Sequence, residues 1–376
     1  MKELAVYIHI PFCDHKCIYC DFYSIINYEN INEYLHPLTK EINNSAQKYE
    51  REREVISIFF GGGTPSFMNP EYISEIITAI RNNFQVNNDV EITLETNPGT
   101  VTEKKLQDFK SAGINRISIG VQSFDNKELE FLTRIHDSQK AIKTVEAASN
   151  AGFNDINIDL IFNLPNQTKD IWKENLEIAC SLPITHISAY SLILERGTIL
   201  NKMVLDGKVK LQDSDYDADL YESTIEFLTG KNFIQYEVSN FCLPGFECKH
   251  NNAYWRYSDY LGFGTSAHSF IHGKRWWNYS SLNFYIEKMK SGNDAIAGEE
   301  ILTQDQMHSE YVMLAMRSRG LDLSDYKKRF NSPWLVKSKS HFDQLKTDGY
   351  LSIDDNFIKF TPKGYALCDE ILAKIL

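Results

Sequence analysis

Short β-branched runs alternate with amphipathic helical patterns from residue 4 to about residue 195, and this alternation restricts the fold more than any other feature. Several runs are apolar on both faces, which is typical of strands buried in a parallel sheet. Six such alternations imply right-handed crossovers and predict an α/β fold, a partial (β/α)6 barrel rather than a full eight-unit one. The candidate strands are Leu4–Ile10, Val55–Phe60, Val90–Leu94, Arg116–Ile119, Asp155–Ile161 and His186–Tyr190.

The residues least expected in a buried sheet lie at or after the carboxyl ends of these strands. Chemistry collects at that end of the strands in parallel barrels, so these residues predict one shared site. A run of glycines there leaves backbone N–H groups free to approach the charged end of a ligand. The stretches are a cysteine loop after the first strand, Gly61–Pro65 after the second, Glu95–Pro98 at the third, Gly120–Gln122 at the fourth and Asp159 in the fifth.

The cysteine loop has the spacing C-x-x-x-C-x-x-C, with Cys13, Cys17 and Cys20. A cubane iron–sulfur cluster ordinarily takes one thiolate on each of its four irons. Three cysteines therefore hold three corners and leave one iron open to a small molecule. Zinc is the alternative, with His9 or His15 as the fourth ligand, because structural zinc sites have four protein ligands. Only 7 cysteines in 376 residues disfavour a disulfide framework.

Composition and charge exclude several partners and locations. The formal net charge of −12 disfavours nucleic acid and anionic membranes. The first residues lack the pattern of a signal peptide, and no uncharged apolar run reaches the ~18 residues of a membrane helix. With unpaired cysteines, these features predict a cytoplasmic protein. The 22 Phe, 20 Tyr and 5 Trp fit a large aromatic ligand without requiring one.

Two further segments follow the region of alternation. Residues 236–285 are dense in Tyr, Trp, Phe, Asn, His and Gly and show little helical periodicity. A helix over Gln304–Arg317 and a hairpin around Asp354–Asn356 predict a winged-helix-like module, whose nearly balanced charge disfavours DNA binding. The predicted divisions are a barrel over 1–235, an aromatic-rich extension over 236–300 and the winged-helix-like module over 301–376.

Several strings in the chain carry a resemblance to a known family. With the cysteine motif and the glycine run, they resemble the radical S-adenosylmethionine superfamily, and within it the branch of oxygen-independent coproporphyrinogen oxidases. The resemblance extends over nearly the whole chain. The strings are YIHIPFC at Tyr7–Cys13, NRISIGVQSF at Asn115–Phe124 and DYLGFG at Asp259–Gly264.

This resemblance implies a radical-SAM barrel whose three cysteines hold a [4Fe-4S] cluster. It also implies that the open iron chelates the amino and carboxylate groups of S-adenosylmethionine. The positions that match the family's contacts with this nucleotide are Tyr7, Gly62, Gly63, Thr64, Glu95, Gln122, Arg134 and Asp159.

Two functions compete within this branch. The oxidase decarboxylates porphyrinogen propionates, and its motif carries a further cysteine two places after the third. Here that place is Phe22. The oxidase also has an N-terminal extension that closes over its substrate, whereas this sequence reaches Cys13 almost at once. Both departures argue against oxidase activity.

The run Cys248–Trp255 instead contains H-N-x-x-Y-W, which resembles the signature of HemW-type haem chaperones. An imidazole can ligate haem iron, so His250 is the predicted ligand, with Tyr254 and Trp255 flanking the macrocycle. The alternative is an aromatic patch that packs a domain junction, with this histidine bonded internally. The rival iron ligands are Cys248 and His268.

The combined prediction is a haem chaperone that binds haem and passes it to acceptor haemoproteins. It would act as a monomer or a cluster-promoted homodimer, with no nucleic-acid partner and at most transient contact with membrane haemoproteins. The cluster and S-adenosylmethionine would be structural or regulatory. The alternatives are the oxygen-independent oxidase of porphyrin biosynthesis and a zinc-stabilised binding module that uses the winged-helix-like segment.

Overall fold

A computed structural model describes residues 1–26, 31–49, 52–330 and 332–376 of the chain. All six predicted strands are present, and helices connect them in order. The strands are β1 (Lys2–Ile10), β2 (Arg53–Gly62), β3 (Gln85–Thr96), β4 (Arg116–Gln122), β5 (Asp155–Phe162) and β6 (His186–Ser191). The helices are α1 (Ile31–Tyr49), α2 (Pro70–Asn83), α3 (Glu103–Ser111), α4 (Asn126–Phe131), α5 (Ser138–Asn150) and α6 (Lys169–Ser181).

The six strands form the parallel centre of one sheet. They lie in chain order from β1 to β6, and each pairs in parallel with the next. Strands from later in the chain continue both edges, and β1 and β6 do not pair with each other. The predicted partial (β/α)6 barrel is therefore confirmed, and its parallel strands place their carboxyl ends on one rim.

The next part of the chain extends this sheet. One strand pair joins β6, and a meander joins β1 through a further parallel pairing. The predicted extension over 236–300 thus shares the sheet of the barrel. The elements are α7 (Ile199–Leu205), α8 (Ser214–Gly230), β7 (Ile234–Gln235), β8 (Asn240–Cys242), α9 (Lys249–Trp255), β9 (Asp259–Phe263), β10 (His268–Ile271), β11 (Lys274–Asn278), α10 (Leu282–Lys290) and β12 (Ile296–Ile301).

A buried carboxylate fastens α1 to the extension. Glu41 accepts hydrogen bonds from the Gly264 N–H at 2.8 Å, the Asn278 amide at 2.6 Å and the Tyr285 hydroxyl at 2.7 Å. Burial raises the pKa of Glu41 to about 7. The barrel and the extension are therefore joined by polar contacts as well as by β1.

The C-terminal residues form a separate small core around a three-stranded sheet. The predicted hairpin is present and antiparallel, and Val238 N–H donates to Arg317 O at 2.9 Å where this core meets the extension. Its elements are α11 (Gln304–Met316), β13 (Leu321–Asp322), α12 (Leu323–Arg329), α13 (Trp334–Lys337), α14 (Lys339–Thr347), β14 (Leu351–Ile353), β15 (Phe357–Phe360), α15 (Pro362–Ala366) and α16 (Cys368–Ile375).

Among the described residues, no helix combines the length and the apolar character that crossing a membrane requires.

Candidate functional site

A cavity of ≈ 540 Å³ lies inside the barrel and reaches from the cysteine loop to helix α9. This volume suits one ligand of drug size, for which pockets of roughly 300–1,000 Å³ are usual. Every site residue predicted from the sequence lines it except Trp255, which is half-buried elsewhere on α9. The predicted residues on its wall are Tyr7, Cys13, Cys17, Cys20, Gly62, Gly63, Thr64, Glu95, Gln122, Arg134, Asp159, His250 and Tyr254.

The cysteine loop begins where β1 ends. Phe12 anchors it in the core, and the backbone of Cys13 donates to Ile25 O at 2.9 Å. All three cysteines carry free thiols, and the Sγ of Cys13 lies 3.4 Å from the Thr64 hydroxyl. The loop therefore presents three possible thiolates to one end of the cavity.

The number of thiols on this loop suits a cluster. Within the described residues, the cavity wall holds Cys13, Cys17 and Cys20 and no other cysteine. A cubane takes one thiolate on each of its four irons, so three thiols can hold three corners. The donor set of Cys13, Cys17 and Cys20 thus fits the predicted [4Fe-4S] group.

The glycine run lies directly against the cysteine loop. Gly63 N–H donates to Ile10 O at 2.8 Å, and Thr64 N–H donates to Phe12 O at 2.7 Å. Gly62 adopts a φ of 114°, and a Cβ at Gly63 would lie 2.5 Å from Phe12 O. A side chain is excluded at Gly63 because the two loops pack backbone against backbone. The expectation of free N–H groups in the glycine run is wrong, because those of Gly62, Gly63 and Thr64 are all donated within the fold.

Two acids project into the cavity from β3 and β5, the strands on either side of β4. Glu95 accepts a hydrogen bond from Gly62 N–H at 3.3 Å, and burial together with the nearby Asp159 raises the pKa of Glu95 to about 8. Asp159 accepts from the Asn157 amide at 2.8 Å and from the Ser118 hydroxyl at 3.5 Å, and burial raises its pKa. A cationic or hydroxyl-rich ligand would relieve the cost of charging both acids.

Arg134 joins the cysteine loop to the end of β4. Its guanidinium donates to Gly120 O at 2.7 Å, to Asn97 Oδ1 at 2.5 Å and to Cys17 Sγ at 3.5 Å. Gln122 ends β4 with a φ of 70°, a left-handed conformation that is uncommon for a residue other than glycine. Such strain is found at ligand sites, and here it falls on a predicted nucleotide contact.

Sequence reasoning missed the polar side chains that line the middle of the cavity. Those on β4, β5 and β6 alternate with apolar residues, and this period of two was the signal that could have revealed them. Asn97, on the same wall, donates to the Thr64 hydroxyl at 2.8 Å. The missed residues are Arg116, Ser118, Asn157, Ser188 and Asn251, whereas Asn97 belongs to the predicted stretch Glu95–Pro98.

The H-N-x-x-Y-W run forms α9, at the opposite end of the barrel from the cysteine loop. Glu91 of β3 accepts from the N–H groups of Lys249 at 2.8 Å and His250 at 3.1 Å, and from the Cys248 thiol at 3.3 Å. This carboxylate fixes the first turn of α9 against the amino-terminal half of the sheet.

The His250 imidazole is packed into this end of the barrel, termed the floor of the cavity. It is 2% exposed, stacks on Phe59 with ring centroids 4.9 Å apart, and has Nδ1 3.0 Å from the Ser57 hydroxyl and Nε2 3.2 Å from the Tyr254 hydroxyl. Burial, with the nearby Arg116, lowers the pKa of His250 to about 3, so the ring is neutral. Iron ligation by this side chain stays a prediction and requires the bond to Tyr254 to break.

The two rival ligands lie in different surroundings. Cys248 is fully buried, bonded to Glu91, and burial raises the pKa of its thiol. His268 is exposed and stacks on Trp277 with ring centroids 5.9 Å apart, outside the cavity wall. Neither side chain is presented to the cavity.

Comparisons with known proteins agree with this geometry. The Radical SAM superfamily model matches residues 7–179, and the HemN C-terminal domain model matches 302–367. The fold is thus that of a radical SAM protein.

Similarity to curated proteins extends over the whole chain. The heme chaperone HemW of Lactococcus lactis is 33% identical, covering 100% of this chain and 98% of the relative. The heme chaperone HemW of Bacillus subtilis is 32% identical, covering 99% of each. The chain belongs to the HemW family within the radical SAM superfamily.

A solved structure shares the complete architecture. Coproporphyrinogen III oxidase (HemN) from Escherichia coli, described as a radical SAM enzyme, superposes with a TM-score of 0.83 at 26% identity, covering 100% of this chain and 90% of that one. The predicted relation to the coproporphyrinogen oxidase branch is therefore confirmed at the level of fold.

Proposed function

We propose that this protein is a haem chaperone, which binds haem and transfers it to acceptor haemoproteins. The observation that carries the proposal is the end-to-end similarity to two HemW chaperones, each matched over nearly its full length. A shared barrel alone would not support it, because one fold hosts many functions.

The second candidate is oxidative decarboxylation of a porphyrinogen, which the shared architecture with HemN favours. The residue at position 22 argues against it. The oxidase motif has a cysteine there, whereas Phe22 is 62% exposed at the cavity. A phenyl ring replaces a thiol at the reacting end, so the chaperone is the better supported function.

For the cofactors, we infer a [4Fe-4S] cluster on the three cysteines and S-adenosylmethionine beside it. When bound, the cluster would supply an open iron for the nucleotide. Gly62 and Gly63 would let the methionine end approach the backbone closely, because they carry no side chain, and Thr64 would meet it with its hydroxyl. Glu95 would accept from its amino group, and the ribose hydroxyls would meet the side chains of Gln122 and Asp159, with Arg134 and Tyr7 completing the wall.

The proposed setting of this activity is the cytoplasm. The partners would be haem and acceptor haemoproteins, met as a monomer or a homodimer promoted by the cluster, with no nucleic acid involved. The net charge of −12 supports the last point, since it repels polyanions.

The test is a pair of assays on one anaerobic, cluster-reconstituted preparation. Titration with hemin should give a saturable change in the haem absorption bands, and coproporphyrinogen III should stay intact in the presence of S-adenosylmethionine and a reductant. The E. coli oxidase serves as the positive control for turnover. Porphyrinogen consumption without haem binding would establish the oxidase instead. Zinc without iron and sulfide in the purified protein would establish the binding module.

A further inference from the structure

Exposed apolar side chains gather around the mouth of the cavity. Phe22 and Ile193 both line the cavity and are 62% and 68% exposed. Ile26 lies on the loop of Phe22, Ile199 begins α7 after the loop of Ile193, and the two are 63% and 57% exposed. These four residues are termed the mouth patch. Large apolar side chains grouped in this way mark binding surfaces, because water solvates them poorly.

Hydrogen bonds fix the two loops of the mouth patch relative to each other. Leu200 N–H, next to Ile199, donates to Ile18 O at 2.9 Å. Ile18 N–H in turn donates to the Thr133 hydroxyl at 3.3 Å. The patch is therefore held to the cysteine loop by backbone contacts, which gives it a defined shape before any ligand arrives.

Two polar side chains complete this surface. His15 is exposed on the cavity wall, and its Nε2 lies 3.2 Å from the Thr133 hydroxyl. In the part of the chain that the structure describes, its Nδ1 has no hydrogen-bond partner. Lys16 is exposed, and its Nζ lies 3.3 Å from Phe22 O. An imidazole and an ammonium beside an apolar surface match the iron, the carboxylates and the flat ring of a haem.

The other end of the cavity offers less to a haem. The His250 ring is 2% exposed with both nitrogens engaged, and the ≈ 540 Å³ of the cavity suits a single ligand. A tetrapyrrole at the floor would have to share this volume with the nucleotide. At the mouth it would cover the cavity without entering it.

We propose that the haem cargo lies across the mouth patch, with its apolar face on Phe22 and Ile193, His15 as an axial ligand and Lys16 paired with a propionate. This site rests on the proposed haem-chaperone function. It assigns the cargo to the cysteine-loop end of the barrel and leaves the floor to packing.

The test titrates the full, cluster-reconstituted chain with hemin and, separately, with metal-free protoporphyrin IX. His15→Ala should weaken hemin binding by about tenfold or more and shift its absorption bands, because an axial ligand is lost. It should leave protoporphyrin affinity unchanged. Ile193→Glu should weaken both ligands about tenfold, because it puts a charge under the ring. Iron and sulfide content checks that the cluster is intact in each variant.

Matched controls are His36→Ala and Ile234→Glu, which alter an exposed histidine and an exposed isoleucine on other elements. Phe22→Glu repeats the apolar test on the other loop, in case Ile193→Glu does not fold. Hemin binding that survives His15→Ala and both glutamate variants but is lost in His250→Ala overturns the mouth site alone. Failure of the unaltered chain to bind hemin overturns the proposed function as well.

Discussion

Two glutamates of one strand show how differently the two ends of the barrel are built. Glu91 and Glu95 both lie on β3. Glu91, towards the amino end, accepts from two backbone N–H groups of α9 and from a thiol. Glu95, towards the carboxyl end, accepts one hydrogen bond, from Gly62, within the described part of the chain.

The difference separates a packed end from a binding end. Both carboxylate oxygens of Glu91 accept hydrogen bonds at the start of α9, so this helix and its histidine are held in place. Glu95 can still accept further hydrogen bonds, and its pKa is raised to about 8. Both properties are typical of a carboxyl group that binds a ligand. Ligand chemistry is therefore expected at the cysteine-loop end and stability at the α9 end.

The largest effect is expected from Cys17→Ser, at the open end. Removing one of three thiolates should abolish cluster assembly, because the remaining two cannot hold three corners of a cubane. Iron and sulfide per chain and the visible absorption after anaerobic reconstitution measure the loss. Cys180→Ser, on α6 away from the cavity, is the control and should retain the cluster. A full cluster in Cys17→Ser would disprove the ligand assignment.

At the packed end, Glu91→Ala should lower the free energy of unfolding by about 3 kcal/mol, because buried donors of α9 lose their acceptor. Affinity for S-adenosylmethionine should change little. Urea denaturation and nucleotide titration give the two values, with Glu75→Ala on the exposed side of α2 as the control. A large loss of nucleotide affinity at unchanged stability would reverse the roles of the two ends.

Glu95→Gln should do the opposite. The amide cannot ionise to the carboxylate that the nucleotide's amino group would stabilise, so affinity should fall by about 30-fold, or ~2 kcal/mol, with stability nearly unchanged. Calorimetric titration of the cluster-loaded protein measures it, beside Glu146→Gln on the exposed face of α5. Wild-type affinity in this variant would remove Glu95 from the site.

The smallest effect concerns Glu41, an acid buried outside the cavity. Its folded pKa of about 7 exceeds its ordinary value of 4.5, so the folded state binds the proton more tightly. Its contribution to stability is present below pH 4.5 and is lost as the pH rises to about 7. Glu41→Gln should remove this loss, gaining about 1–2 kcal/mol relative to wild type between pH 5 and pH 7. Glu33→Gln, exposed on the same helix, should show no such trend in denaturation midpoints.

Much of the fold and the open end of the site followed from local sequence. Buried strands can be recognised from their apolar, β-branched composition. Parallel connectivity places their carboxyl ends together. The sequence therefore predicted that Cys13, Gly63, Glu95 and Asp159 lie at one site. Topology alone brings these strand ends to one rim.

The rest depended on contacts that no local pattern encodes. The position of α9 is set by Glu91, which lies far from it in sequence, so the H-N-x-x-Y-W run could be recognised but not placed. The left-handed backbone of Gln122 is imposed by the irregular pairing of β4 with β5 rather than by its own preference. Long-range packing decided both.

The position of β1 has a consequence for dissecting the molecule. This strand is hydrogen-bonded to β2 on one side and to β9 on the other, with Leu4–Ile8 paired on both edges. A chain cut after residue 235 would strip one flank of the strand that carries the cysteine loop. An unpaired strand edge can hydrogen-bond to another chain, so we expect the shortened protein to self-associate before it binds a cofactor. We therefore expect residues 1–235 not to fold as an independent unit.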